Sequence, residues 1–351
     1  MKEEIIFLIK KLKKEKKLSL EEYETLISSY SPEVARYAAK EASEVRQELY
    51  QNKVYIRGLI EITNICKNDC YYCGIRKGNR ACDRYRLTKE EILGRCKQGY
   101  ELGFRTFVLQ GGEDSYFSDE ILCDILSDIR SSFPDCAITL SLGERSKESY
   151  QRLYTAGANR YLLRHETADK KHYESLHPTQ MSFEKRMQCL NDLKEIGYQV
   201  GCGFMVDSPG QTAHELAKDL KFIEEFKPHM CGIGPFIPHK NTKYREKAAG
   251  SIEKTCYLLS LIRLLHPAIL LPATTALATL DEKGREKGIL AGANVVMPNL
   301  SPMSVRKKYE LYDKKNSGGQ EAAEGLEDLK KKMRELSYEI VIHRGDYYDS
   351  L

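Results

Sequence analysis

The sequence predicts an α/β fold: a complete (β/α)8 barrel of the TIM type, with a helical N-terminal extension and a C-terminal helical tail. Two observations predict it. From Val54 onward eight short apolar runs alternate with longer amphipathic stretches, each gap long enough for a helix. The loops after these runs are rich in polar residues and glycine, as expected where the active site of such a barrel is built from the loops at the C-terminal ends of its strands.

Residues 1–50 form the extension, with capping signals at Ser19 before Glu21-Glu22 and at Ser31 before Pro32-Glu33-Val34. The basic run Lys10–Lys17 adjoins Ile5, Ile6, Leu8, Ile9 and Leu12, which fit one helix face. With a net charge of only +4, that run reads as a solvated helix face and not as a nucleic-acid patch. Residues 51–300 hold the barrel, with strands expected at 54–62, 105–110, 137–142, 160–165, 199–206, 230–235, 269–273 and 294–297. Helices over Thr88–Leu102, Ser118–Ser132, Lys147–Ala156, Ser182–Ile196, Thr212–Phe226 and Ser251–Leu265 fill the gaps. Gly103, Gly157 and Gly197 stand where three of them should stop. Residues 301–351 are expected to pack on the barrel, with Asn316–Gln320 as a loose connector.

Composition excludes several classes. The chain has 351 residues, 41% of them hydrophobic and 30% charged, and no tryptophan. No apolar run reaches the ~18 residues of a membrane span, and the charged start does not resemble a signal peptide. A cytoplasmic protein with no membrane or nucleic-acid partner is expected. Of eleven cysteines, Cys82, Cys96, Cys123, Cys136, Cys189, Cys202, Cys231 and Cys256 have no ligand spacing and read as thiols in a reducing compartment.

The other three are different. Cys66, Cys70 and Cys73 form C-x3-C-x2-C directly after the first strand, with no fourth cysteine close behind. Zinc takes four ligands, usually in two close pairs, so this spacing suits it poorly. A 4Fe-4S cluster held by three thiolates keeps one iron open for a non-protein ligand, which suggests chemistry and not electron storage. The other strands run into Gln110-Gly111-Gly112-Glu113-Asp114, Ser141-Leu142-Gly143-Glu144, Arg164-His165-Glu166-Thr167, Asp207-Ser208-Pro209-Gly210, Gly234–His239, Ala273-Thr274-Thr275-Ala276 and Met297-Pro298-Asn299. A Gly-Gly pair lets backbone approach a ligand closely. Arg164, His165, Thr274 and Thr275 could hold an anionic substrate through charge-assisted and hydroxyl hydrogen bonds.

The triplet resembles the signature of the radical S-adenosylmethionine (SAM) superfamily, in which the methionine amino and carboxylate groups chelate the open iron. The resemblance implies cluster ligation by Cys66, Cys70 and Cys73, methionine binding at Gly111-Gly112-Glu113 and an aromatic near adenine at Tyr72. Glu166 and Arg186 supply the group types that the ribose hydroxyls and the methionine carboxylate need. Arg84–Ile92, Val108–Asp114, Thr139–Glu144, Arg160–Thr167, Pro209–Thr212, Gly232–His239, Pro272–Ala276 and Gly292–Asn299 are similar to the HydE family of FeFe-hydrogenase maturases. That similarity implies further SAM contacts from Gln110, Ser141, Tyr309 and Leu311, and a substrate or anion site at Arg164, Thr274 and Thr275. It also implies a small organometallic substrate, a cysteine-bound iron carbonyl cyanide synthon, together with HydG, HydF and an electron donor as partners. Two departures stand out: no cysteine follows Cys256, where some family members carry a second cluster, and Val305 stands where a tyrosine is expected. Alternative readings are a mutase like methylornithine synthase and a non-catalytic iron-sulfur scaffold or carrier.

Overall fold

Strand burial sets the architecture. The computed structural model describes residues 2–316 and 323–347. In chain order its strands are β1 (Lys53–Ile56), β2 (Gly58–Thr63), β3 (Thr106–Gly111), β4 (Ala137–Ser141), β5 (Arg160–Leu162), β6 (Gln199–Cys202), β7 (Met205–Val206), β8 (Met230–Cys231), β9 (Gly234–Pro235), β10 (Val295–Val296) and β11 (Glu339–Val341). All six residues of β2 are buried, the pattern of a parallel strand covered on both faces. A six-stranded parallel sheet runs β2-β3-β4-β5-β6-β8, with Glu61 opposite Gln110 and Gln110 opposite Ser141. Helices Lys89–Glu101, Asp119–Ser132, Lys147–Thr155, Phe183–Ile196, Ala213–Phe226 and Ile252–Leu265 lie between the strands in sequence, within a residue or two of the expected bounds.

Several expected strands are shorter or divided. The run 54–62 breaks at buried Arg57, because β1 pairs with β10 and β11 while β2 pairs with β3. The runs 199–206 and 230–235 each divide in two, and β7 pairs separately with β9. At that break a side chain on Gly203 would put its Cβ 2.0 Å from the Gly232 carbonyl oxygen, so only glycine allows the approach. The run 269–273 contributes only isolated parallel bridges, Met230–Leu270 and Pro272–Val295, and Pro272 has no N–H to give a ladder. A further bridge joins Leu59 to Asn299.

The extension is three helices, Lys2–Glu15, Leu20–Ser28 and Pro32–Tyr50. Ser19 and Glu22 form a capping box, and the Ser31 hydroxyl accepts from Val34 N. Ile5, Leu8, Ile9 and Leu12 are buried against the rest of the protein, while Ile6 is only half-buried. Among the described residues no helix is long and apolar enough to cross a membrane. The connector expected at 316–320 lies, apart from Asn316, outside the described residues. The tail is not purely helical: after helix Leu326–Glu335, β11 adds to the edge of β1 in parallel.

Beyond β11 the tail closes the end of the sheet opposite the cysteine loop. Arg160, fully buried on β5, donates to Thr106 Oγ1, to the carbonyls of Arg344 and Gly345, and to Asp346 Oδ1 at 2.6 Å. Burial alone would raise the Asp346 carboxyl, but Arg160 and then Arg344 hold it below the usual carboxylate range. A depressed folded-state value gives stability that is complete above the unfolded pKa of ~3.9 and is lost as pH falls through the folded value. Asp346→Asn should therefore cost about 1–3 kcal/mol at neutral pH. In denaturant titrations the gap from the natural chain should narrow below about pH 4.

Candidate active site

The cysteine loop is built by buried side-chain bonds to backbone. Asn64 donates to the carbonyls of Asp83 and Lys308 at 2.8 and 2.7 Å and accepts from Tyr85 N. Arg84 gathers the carbonyls of Asn64, Ile75, Arg76 and Asn79. These bonds turn the loop so that Cys66, Cys70 and Cys73 line one cavity of about 330 Å³. Glu113 N donates to Cys66 Sγ at 3.4 Å, and Met181 Sδ lies 3.6 Å from Cys70 Sγ. Burial pushes the Cys73 thiol up to about 12 and the Cys70 thiol well above its ordinary value, each helped by a neighbouring thiol. Thiols so placed stay neutral unless a metal binds them as thiolates. Three of them converging, with Arg186 and Glu166 across the cavity, fit a 4Fe-4S cluster whose fourth iron takes a polar organic ligand.

The next two strand ends pack against this loop. A Cβ on Gly112 would lie 2.3 Å from the Ile65 carbonyl oxygen and 2.7 Å from Cys66 Cβ. Gly143, at φ +75°, would put a Cβ 2.1 Å from Glu113 Cγ. Glu113 in turn accepts from Glu144 N at 3.0 Å and pairs with Lys67 Nζ at 3.0 Å. Gln110, Gly111 and Ser141 line the same cavity, and Gln110 Nε2 donates to the Tyr309 hydroxyl at 3.3 Å. Leu311 lines it too, and its carbonyl accepts from Gly74 N, next to the last cysteine.

Arg186, on helix Phe183–Ile196, points inward and is held from two sides. Its Nε donates to Glu144 Oε1 at 2.7 Å and its Nη1 to the Arg164 carbonyl at 2.5 Å. Glu144 was visible in the sequence only as a rim residue, yet it fixes Arg186 through a pair whose two side chains are each 8% exposed. Glu166 sits at φ +66°, a strained setting for a residue with a side chain. Arg164 Nη2 and Glu166 Oε2 are 3.2 Å apart without hydrogen-bond alignment, so both atoms and Arg164 Nε stay buried with no hydrogen-bond partner. Buried polar atoms left in this way mark a place for a ligand. Thr274 and Thr275 line the cavity as well, with Thr274 Oγ1 donating to the Ile233 carbonyl. Tyr72 lines it with its hydroxyl 3.2 Å from His177 Nε2.

His165 does not join them. Beyond the end of β5 the chain sets Arg164 and Glu166 along the cavity and turns His165 away from it. There it is fully buried against Phe204 and Phe222, with Nε2 3.1 Å from Asp219 Oδ1 and Nδ1 accepting from Gly203 N. Burial, with lesser help from Arg164 and Arg186, pushes its pKa down to about 3. It is a neutral core histidine and no ligand for a substrate.

A parallel α/β fold carrying this donor set defines a radical SAM enzyme, and the model of the Radical SAM superfamily matches residues 60–223. The FeFe-hydrogenase maturase subunit HydE of Thermotoga maritima is 44% identical over 273 residues, 78% of each chain. The chain belongs to the HydE family of radical SAM enzymes, whose cofactors are a 4Fe-4S cluster and SAM. It is also similar to 3-methylornithine synthase of Methanosarcina acetivorans, at 28% identity over 299 residues, 85% of this chain and 84% of that one. A crystal structure of methylornithine synthase (PylB) superposes with TM-score 0.83 at 25% identity, covering 95% of this chain and 97% of that one.

The contact at Gly112 gives a test. Gly112→Ala drives its Cβ into backbone, which cannot swing away, so the cysteine loop should be displaced. After reconstitution with iron and sulfide, that variant should hold well under half the iron of the natural chain. Gly94→Ala, in a helix with nothing within 4 Å of the new Cβ, should load fully.

Proposed function

We propose that this chain reductively cleaves SAM to a 5′-deoxyadenosyl radical and acts in assembly of the diiron subcluster of the FeFe-hydrogenase active site. The substrate in this reading is a cysteine-bound iron carbonyl cyanide synthon from HydG, with HydF as a further partner, an external electron donor, and a cytoplasmic setting. The observation that carries it is the placing of three half-buried thiols, Glu166, Arg186 and the Arg164 atoms that lack hydrogen bonds around one cavity. The cluster, when bound, supplies the electron that breaks the sulfonium bond.

The chain's own residues bind, orient and exclude water. Cys66, Cys70 and Cys73 hold the cluster. Glu113 and the open backbone at Gly111-Gly112 receive the methionine amino group, and Arg186, fixed by Glu144, takes the carboxylate. Glu166 receives the ribose hydroxyls, and Tyr72 lies beside the adenine. Gln110, Ser141, Tyr309 and Leu311 complete the cosubstrate wall. Arg164, Thr274 and Thr275 hold the anionic end of the substrate. We further read the six-stranded sheet, with its bridges through Leu270, Pro272, β10 and Asn299, as a complete (β/α)8 barrel enclosing this cavity. Residues 1–50, 51–300 and 301–351 then serve as extension, barrel and covering segment.

A methylornithine-synthase type of mutase shares the overall fold, at 28% sequence identity against 44% for HydE. It requires acidic groups open to a diamine, and the cavity's buried Glu61 is already paired with Lys315. A scaffold would bind a cluster without turnover. After reconstitution and reduction, the natural chain should release 5′-deoxyadenosine from SAM and Cys70→Ala should release none. A Cys70→Ala protein that still releases it contradicts the assignment. Hydrogenase activity in a maturation mixture with and without this chain separates maturase from mutase.

A further inference from the structure

Glu61, on β2, lines the cavity and is itself fully buried. Two side chains satisfy it: Asn299 Nδ2 donates to Oε2 at 2.9 Å, and Lys315 Nζ donates to Oε1. Lys315 belongs to the covering segment and not to the sheet. Its side chain is 9% exposed and passes the Tyr309 ring, with Nζ 4.7 Å from the ring centre and 3.1 Å from the Tyr309 carbonyl oxygen. Its ammonium thereby becomes part of the cavity lining.

A carboxylate buried this deeply is unfavourable without a cation, so an uncovered Glu61 would draw in the ammonium group of any amine of suitable length. Lys315 is such an amine, carried on the chain. Three strands along the sheet, Arg164 retains Nε and Nη2 without hydrogen-bond partners. The acidic charge at β2 is thus cancelled, while beyond β5 Arg164 keeps Nε without a hydrogen-bond partner and lies by Nη2 3.2 Å from Glu166, the carboxylate assigned to the ribose hydroxyls.

We propose that Lys315 is a specificity-determining residue, an internal counter-ion that fills the Glu61 subsite and bars substrates carrying a free alkylammonium group. This rests on reading the cavity as the substrate chamber, and it adds the class of molecule the chamber rejects and the residue responsible. A chamber so lined accepts anionic substrates, or amines whose nitrogen lone pair is already bound to a metal.

The test uses the full chain, cluster-loaded, with Lys315→Ala, which removes three carbons and the ammonium and so leaves a space shaped like propylammonium beside Glu61. By titration calorimetry n-propylammonium should bind this variant at least about tenfold more tightly than the natural chain, as one charge-assisted hydrogen bond to a buried carboxylate requires. The uncharged n-propanol should not discriminate, and Glu61→Gln combined with Lys315→Ala should abolish the gain. If the uncovered carboxylate unfolds Lys315→Ala, n-propylammonium should restore its cooperative melting and n-propanol should not. Equal binding by the natural chain, persistence of binding in the double variant, or neither binding nor rescue overturns the proposal. Reductive SAM cleavage by the natural chain is followed in the same preparations. Its failure counts against the cofactor reading alone, whereas failure of the amine pattern with cleavage intact counts against Lys315 alone.

Discussion

The attachment of Glu113 to the cysteine loop is the contact on which the other parts of the site depend. Its N–H donates to Cys66 Sγ, its carbonyl accepts from Lys67 N at 2.9 Å, and its carboxylate accepts from Glu144 N. The Glu144 side chain then fixes Arg186. One residue thus ties the end of β3 to the metal-binding loop, to the turn after β4, and through that turn to helix Phe183–Ile196. Such an approach is possible only because Gly112 and Gly143 leave no Cβ in the way. The groups expected to receive the methionine amine and carboxylate are consequently held in register with the thiols before any ligand arrives, which is how preorganised sites reduce the cost of binding.

Buried charge is the second organising constraint. A charged group in this interior is tolerated only when paired or hydrogen-bonded. Arg160 is satisfied by the tail, Arg186 by Glu144, and Glu61 by Lys315 and Asn299. Arg164 and Glu166, facing the cavity, are paired with each other at 3.2 Å, yet each keeps buried atoms without hydrogen bonds. The strained backbone at Glu166 points the same way, since such conformations persist where function holds them. The unsatisfied polar capacity sits where a cosubstrate and a substrate would meet.

Much of this was legible in the chain, because periodicity and position report local facts. Six helices between the strands fall almost where amphipathic spacing and glycine stops put them. The three thiols share a cavity with Tyr72 and Glu166, near strand ends, and with Arg186, which comes from a helix and was named for its guanidinium chemistry. The rest depended on tertiary geometry. Arg57 interrupts an apolar run with nothing nearby to announce that β1 and β2 pair with different partners. The seventh strand reduces to bridges because a strand can be apolar yet lack the N–H it needs at Pro272. His165 faces the core and not the cavity because the irregular backbone past β5 does not present all its side chains to the rim. Lys315 gave no signal at all, since only the path of the covering segment brings its ammonium to Glu61, 254 positions away in sequence.

The central claim is that the three-thiolate site leaves one iron open for the methionine end of SAM. The most direct measurement is electron-nuclear double resonance on the reduced, reconstituted protein with SAM labelled at the methionine amino nitrogen and carboxylate oxygens. Hyperfine coupling of the cluster to both labels, lost in Arg186→Ala for the carboxylate, is the predicted result. A cluster that shows no coupling to either label, or one ligated by a fourth side chain of the protein, would contradict it.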